Sequence, residues 1–262
     1  MISVCMAYYN RPKYLERTLA LYYEVHEHKL KDVEFVIVDD GSEDDHRASK
    51  IIKKFDNKMD IRLFYRENKN DINPAVAINT SVMLAKNNRV IITCPEIFPA
   101  TPYLHHIPKY IFKNDYYLIP CYSISQERQK TLESFSEYSE INNILPHMVT
   151  RPVAIKHDGD DGWYSHEFFR PVWFYFTAMI RKDFFFTLGG IDEDFRYGWG
   201  YEDTDFVERL KKSDPYIFWM NNDYCIHQNH YDNKNASRPD KVKIEGRSRN
   251  RALFEQKNNI KL

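Results

Sequence analysis

Val33-Glu34-Phe35-Val36-Ile37-Val38-Asp39-Asp40-Gly41-Ser42 begins as a strand and stops at a turn. The apolar run from Val33 to Val38 is the strongest strand signal in the chain. Asp-Asp-Gly-Ser then breaks it, because glycine admits positive φ and Asp and Ser side chains bond their own backbone. Upstream, Ile2 to Ala7 is a second short apolar run. Pro12 then opens a helix with Leu15, Leu19 and Tyr22 or Tyr23 on one face. Downstream lie a charged helix through Ile51, Ile52 and Phe55 and a strand from Arg62 to Tyr65. Asn73-Pro74 reads as N-cap and first residue of a helix through Ala77, Ile78 and Val82. A strand from Arg89 to Thr93, a helix starting at Thr101-Pro102 and a fifth strand from Tyr116 to Tyr122 complete the first half. This alternation predicts an α/β fold: a mainly parallel central sheet with helices on both faces. Ligands of such sheets bind beyond the carboxyl ends of the strands. Here those ends carry Tyr9-Asn10, Asp39-Asp40 and Thr93-Cys94-Pro95-Glu96, so the polar anomalies fall on one rim.

The second half is less regular. Residues 123–139 are polar and charged, and His157 to Trp163 reads as a loop. A packed unit resumes at Val172 to Arg181, followed by a helix from Lys182 to Leu188 that Gly189-Gly190 closes. Next comes Gly198-Trp199-Gly200-Tyr201-Glu202-Asp203-Thr204-Asp205-Phe206, with three carboxylates in four positions ahead of an amphipathic run to Leu210. Glycines flanking a tryptophan let the backbone approach a ligand closely, and the positive end of a helix favours carboxylates in its first turn. Tyr216 to Met220 and Tyr224 to Ile226 read as short strands. The tail from Lys234 to Arg251 is basic and polar.

Composition narrows the function classes. The 262 residues, 43% hydrophobic and 29% charged, suffice for one large domain or two small ones. A net charge of -1 offers no basic field, so no nucleic-acid partner is expected. Cys5, Cys94, Cys121 and Cys225 form no CxxC pair and read as buried free thiols rather than a zinc or disulfide framework. The N-terminus does not read as a signal peptide, and no apolar run approaches the roughly 18 residues of a membrane span. A cytoplasmic protein without a transmembrane segment is the resulting expectation.

Several residues offer chemistry. Asp39-Asp40 either accepts hydrogen bonds from a nucleobase or ribose, or closes an Asx turn. Glu96 either holds a divalent cation bridging a diphosphate, or ends a strand. His227 and His230, three residues apart, are either ligands of a metal such as Mn²⁺ or a surface turn. Lys234, Arg238, Lys241, Lys243, Arg247, Arg249 and Arg251 either fold over a diphosphate or form a solvated face. Glu202 and Asp203 supply either a general base or an acidic helix start.

Taken in order, these stretches resemble family 2 glycosyltransferases of the GT-A fold. The resemblance runs from Ser3-Val4 through Tyr9-Asn10-Arg11 and Val38-Asp39-Asp40-Gly41-Ser42. It continues through Asn79, Gly189-Gly190-Ile191-Asp192-Glu193-Asp194-Phe195 and the Gly198–Phe206 stretch, and ends at the late His227. The Gly-Trp-Gly-x-Glu-Asp motif is also similar to that of β-1,4-galactosyltransferases and polypeptide N-acetylgalactosaminyltransferases. The likeness covers residues 1 to about 105 and 172 to 230. It implies a single GT-A domain over 1–262, with a nucleotide-sugar half (1–123), an acceptor and catalytic half (124–230) and a basic tail (231–262). It further implies inverting transfer from a UDP- or dTDP-sugar to a hydroxyl acceptor such as a glycan. Ala7, Tyr9, Asn10, Arg11, Asp39, Asp40, Asn79, Glu96 and Trp199 would bind the donor. Asp203 would be the base and Glu202 the acceptor-binding carboxylate, while Glu96 and His227 would hold a divalent cation, Mn²⁺ by residue type. The family's Asp-x-Asp motif is replaced by Thr93-Cys94-Pro95-Glu96. That departure leaves open an inactive nucleotide- or sugar-binding relative, with a nucleotidyltransferase as a further alternative.

Overall fold

The run that reads most strongly as a strand, Val33–Asp39, is buried at every position. A strand covered on both faces belongs in the middle of a parallel sheet. The computed structural model describes residues 1–67, 70–230 and 240–260, without the side chains of 240–243. In chain order the first half contains β1 (Ile2–Tyr8), α1 (Pro12–His26), β2 (Val33–Asp39), α2 (Ala48–Ile52), β3 (Asp60–Tyr65), α3 (Ala75–Leu84) and β4 (Arg89–Thr93). Then follow β5 (Ile97–Pro99), α4 (Tyr103–His106), β6 (Asp115–Leu118), β7 (Cys121–Ser123), α5 (Gln126–Ser134), α6 (Tyr138–Ile144) and β8 (Gly162–Ser165). The chain finishes with β9 (Thr177–Arg181), α7 (Lys182–Thr187), α8 (Glu202–Lys212), β10 (Tyr216–Trp219), β11 (Cys225–His227) and α9 (Asp240–Asn258).

Among the described residues, seven strands form one sheet in the order β10-β6-β9-β4-β1-β2-β3. Pairing is parallel throughout except where β9 runs against β4 and β6. This is the mainly parallel sheet that strand–helix alternation predicts. Side chains alternate across it with period two. Val4, Met6, Phe35 and Ile37 face Leu15, Leu19 and Tyr22 of α1 on one side. Cys5, Val36 and Ile92 face Ala75, Ile78 and Val82 of α3 and Phe206 and Leu210 of α8 on the other. The register sets Tyr8 beside Asp39 and Asp39 beside Tyr65, so the carboxyl ends of three strands stop at one level. Strands from both sides of residue 123 interleave here, with β6 between β9 and β10.

A second sheet, β5-β11-β7-β8, was not anticipated. The single strand expected from Tyr116 to Tyr122 is two strands in different sheets. Pro120 lies between them and has no N–H for a continuing ladder. Ile119 N still donates to Thr177 O of the large sheet, while Pro120 O accepts from Cys225 N of the small one. The loop expected over His157 to Trp163 gives way to β8 at Gly162. The polar stretch 123–139 contains α5 and the start of α6, helices with few apolar residues to mark them. α5 buries only Gln129 and Leu132 and is capped by Ser125, while α6 is started by a capping box of Glu137 and Glu140. No helix among the described residues is long and apolar enough to cross a membrane.

Candidate active site

The β-strand rim opens into a cleft. Ala7, Tyr9, Arg11, Asp40, Glu96 and Trp199 line it, together with Asp71 and Asn73. Each arrives by a simple route. Ala7 lies near the end of β1 and Tyr9 follows it, Arg11 precedes the proline that opens α1, Asp40 follows β2, and Glu96 lies between β4 and β5. Asp40 is 6% exposed and takes a charge-assisted hydrogen bond from Arg66, which also binds Asp71. Arg66 follows the end of β3, where its N–H donates to Asp39 O at 2.8 Å. Its position beyond a strand's carboxyl end was a signal available in the sequence, whereas Asp71 lies in a loop that carried none and Asn73 was marked only as a helix N-cap.

Three expected donor-binding residues serve the backbone instead. Asp39 does not line the cleft: its two oxygens accept from Ser42 N (3.0 Å) and Ala48 N (2.9 Å), which fixes the turn after β2. The Asx-turn alternative therefore describes Asp39, whereas Asp40 lines the cleft. Asn10, in the left-handed region at φ 49°, accepts from Glu43 N through its side chain and donates from its own N–H to Ser42 Oγ. Asn79 braces the Gly189-Gly190 turn, donating to Ile191 O and Glu193 and accepting from Ile191 N. A Cβ on Gly190, where φ is +65°, would lie 2.7 Å from Asn79 Oδ1. All three residues are polar and sit near the rim, which is why pattern alone assigned them to the ligand.

The small sheet builds the candidate metal centre. β11 runs antiparallel to β5 and sets His227 opposite Ile97, next to Glu96 in the chain. Gln228 N donates to Glu96 O at 2.9 Å and locks that register. One ligand atom each from Glu96, His227 and His230 lie within 4.8 Å of one another. Glu96 Oε2 and His227 Nδ1 are buried and have no hydrogen-bond partner. Buried polar atoms without partners are rare in folded proteins and mark a site built for another group. Burial and the nearby Arg11 charge hold both imidazoles below their ordinary pKa, His230 at about 3, so they are neutral donors. Burial alone would raise the Glu96 pKa, but the Arg11 guanidinium bonded to Oε1 outweighs it and holds the pKa at about 2. Two neutral imidazoles and a carboxylate suit a divalent first-row cation such as Mn²⁺. The donor set thus fits a metal, and the cluster joins His230 to the expected pair of Glu96 and His227.

Behind Asn73 of the cleft wall, α8 begins with Glu202 and Asp203. Gly200 (φ +69°) and Tyr201 (φ 72°) are both left-handed, and this turns the chain into the helix. Burial raises the pKa of both carboxyls, and for Glu202 the Asp203 charge adds to it. Thr204 holds Asp203 Oδ1 through its N–H (2.7 Å) and hydroxyl (3.2 Å). Asn73 of the cleft wall donates to Glu202 at 3.3 Å, and Arg170 extends its charge toward Asp203. Asp205 points elsewhere and pairs with Arg209 at 2.8 Å. Of the basic tail, Lys234 and Arg238 lie outside the described residues, as do the side chains of Lys241 and Lys243. Arg249 binds Asp194 O and Arg251 binds Glu255.

Residues 3–94 match the model of glycosyl transferase family 2, and residues 173–231 match that of the N-terminal domain of galactosyltransferase. No curated protein matches the chain by sequence. Among solved structures, residues 1–349 of TarS from S. aureus superpose with a TM-score of 0.60 at 15% identity, over 87% of this chain and 60% of that one. The mannosyltransferase PcManGT from Pyrobaculum calidifontis, in complex with GDP-Man and Mn²⁺, gives 0.55 at 14% identity, over 87% and 56%. GalNAc-T7 with UDP, GalNAc and Mn²⁺ gives 0.55 at 14%, over 87% and 43%. The chain therefore spans between about two fifths and three fifths of the length of these relatives. The fold is GT-A, and both matched segments are similar to those of glycosyltransferases.

Proposed function

We propose that the protein is an inverting glycosyltransferase that moves a sugar from a nucleotide-diphosphate sugar, UDP- or dTDP-linked, to an acceptor hydroxyl, such as one on a glycan. The observation that carries this reading is that one cleft is walled both by Glu96 of the metal-type cluster and by Asn73, which donates to Glu202 of the buried Glu202–Asp203 pair with its raised pKa values. The relatives' complexes with UDP and Mn²⁺ or GDP-Man and Mn²⁺ support it by analogy of fold. Asp40, with Arg66 behind it, offers a carboxylate acceptor to the N3–H of a uracil or thymine. Ala7 and Tyr9 line the base end, and Trp199 walls the sugar. Asp203 takes the acceptor hydroxyl proton as that oxygen attacks the anomeric carbon. The bond from that carbon to the diphosphate breaks, and the nucleoside diphosphate leaves with the electron pair. Glu202 holds the acceptor. A divalent cation at Glu96, His227 and His230 would supply positive charge to the departing diphosphate. Arg11, already at Glu96 and lining the cleft, adds a fixed positive charge at the same end.

A panel of UDP-, dTDP- and GDP-sugars, assayed for hydrolysis with Mn²⁺ and after exhaustive chelation, tests this. Turnover of a UDP- or dTDP-sugar, lost on chelation and restored by Mn²⁺, is expected. Binding of UDP without hydrolysis or transfer of any donor would instead fit an inactive binding protein. Release of pyrophosphate from a nucleoside triphosphate with a sugar phosphate would identify a nucleotidyltransferase.

A further inference from the structure

Helix α9 lies beyond both family-matched segments, yet it packs on the loop that delivers the carboxylates. The approach is backbone to backbone. A Cβ on Gly246 would lie 3.0 Å from Trp199 N and 3.2 Å from Gly198 Cα, while one on Gly198 would lie 2.6 Å from Gly246 O. Four residues on, Asn250 is fully buried, and its Nδ2 donates to Phe195 O (2.9 Å) and Gly200 O (2.8 Å). Four further on, Phe254 is 1% exposed and its ring meets Tyr201 at 5.6 Å. Spacing of four puts all three on one helix face. That face touches the Trp199 loop at each end and in the middle.

What it touches is strained. Tyr201 holds a left-handed backbone without being glycine, a conformation that persists only where surrounding contacts over-determine it. The next two residues are Glu202 and Asp203, so the Tyr201 dihedrals set the direction of both carboxylates. The Phe195 carbonyl that Asn250 binds also accepts from Asn73 Nδ2 at 2.8 Å, and Asn73 donates to Glu202. One buried amide thus joins the C-terminal helix, the donor-cleft wall and the turn ahead of the carboxylates.

We propose that the Gly246–Asn250–Phe254 face of α9 clasps the Gly198–Tyr201 loop, and that Asn250 is a positioning residue that aims Glu202 and Asp203 at the reacting centre. This rests on the glycosyltransferase reading above. Asn250 touches neither substrate nor proton; it acts through the Gly200 carbonyl. Only an amide fits there, since two carbonyls need two donors while Oδ1 accepts from Arg249 at 2.9 Å.

The test uses the full-length chain with Asn250→Ala and Asn250→Ser, the latter keeping one donor, and the UDP- or dTDP-sugar that wild type turns over fastest. UDP itself is the binding probe, followed by calorimetry. For Asn250→Ala, kcat falls about 10²-fold, as expected when catalytic groups shift by about 1 Å. UDP affinity stays at the wild-type value, and the pH at which kcat rises moves because the carboxyl pair is displaced. Asn250→Ser falls between. Should Asn250→Ala fail to fold, Asn250→Ser and Gly246→Ala carry the same loss of kcat at unchanged UDP affinity. Wild-type kcat in a folded Asn250 variant overturns the clasp, and so does a parallel loss of UDP binding and kcat, which marks a purely structural contact. A wild-type chain that binds UDP but turns over no donor sinks the transferase reading itself, an outcome separate from either.

Discussion

Glu202 and Asp203 are adjacent at the start of one helix, about 100° apart around it, so they do not share one role. Both are pushed toward the neutral form by burial. A base near its own pKa at working pH combines the right protonation state with proton-accepting strength. Asp203→Asn is therefore expected to cut transfer by about 10²–10⁴-fold while leaving UDP affinity intact. Glu202→Gln mainly weakens acceptor use. Near wild-type transfer by Asp203→Asn with the true acceptor would move the base to Glu202. The two aspartates after β2 divide in a different way. Asp40→Ala should weaken UDP binding in calorimetry, because Asp40 lines the cleft. Asp39→Ala should instead lower stability, since it strands the buried N–H groups of Ser42 and Ala48 at about 1–3 kcal/mol each. The reverse pattern, with Asp39→Ala the worse binder and no less stable than wild type, would restore Asp39 to the ligand.

At the level of elements, the metal-type cluster is a product of strand pairing. Glu96 ends the turn after β4, and the histidines come from β11 and the residues after it. Only the antiparallel β5–β11 ladder brings them together. Removing a single ligand should then weaken the ion without disturbing the sheet. Titration of Mn²⁺ in the presence of UDP should show tight binding to wild type and a loss of about tenfold or more in His230→Ala, with unchanged melting of the metal-free chain, whereas Glu96→Gln should lose the ion and also melt lower, because it leaves the buried Arg11 charge unpaired. Unaltered Mn²⁺ affinity in His230→Ala would remove it from the ligand set. Asn79 and Gly190 form a similar pair between α3 and the turn after α7. Gly190→Ala strains a left-handed residue and drives its Cβ against Asn79 Oδ1. It should destabilise the chain by more than the roughly 1 kcal/mol that a compatible glycine exchange involves, which denaturant melting would show. A neutral result would mean that the turn relaxes freely.

Across the whole molecule, the raised carboxyl pKa values couple activity to stability. Free carboxyls titrate near pH ~4, whereas Glu202 in the native chain is pushed up to about 8. Between those limits the native state binds more protons than the unfolded one, so stability falls as pH rises. This contribution is complete below the unfolded pKa and lost through the folded one. The prediction is a Tm that declines from about pH 5 to about pH 8, and a flatter profile with higher Tm at the alkaline end for Glu202→Gln and Asp203→Asn. If both variants kept the wild-type slope, the pair would not be held in its high-pKa state. Such a gain in stability on losing a catalytic carboxylate is the usual trade between active-site chemistry and folding.

The parallel sheet, its rim and the acidic helix start were readable in sequence because each rests on a local rule. Short apolar runs make buried strands, Asp-Asp-Gly-Ser and Gly189-Gly190 make turns, and carboxylates favour a helix N-terminus. Local rules also account for what was misread. A polar residue beside the rim looks the same whether it faces a cleft or a backbone group, so pattern alone does not separate Asp40, which lines the cleft, from Asn10, Asp39 and Asn79, which bond the backbone. α5 and α6 went unseen because their few buried residues leave almost no apolar period. The strand over Tyr116 to Tyr122 hid a change of sheet at Pro120. Contacts between residues far apart in the chain were beyond any local pattern: Arg66 with Asp40 and Asp71, Glu96 with His227 and His230, and Asn250 with the Trp199 loop. Hydrogen bonds and ion pairs of this kind depend on where strands and helices finally pack. That packing is set by burial summed over the whole chain, and only the folded molecule decides it.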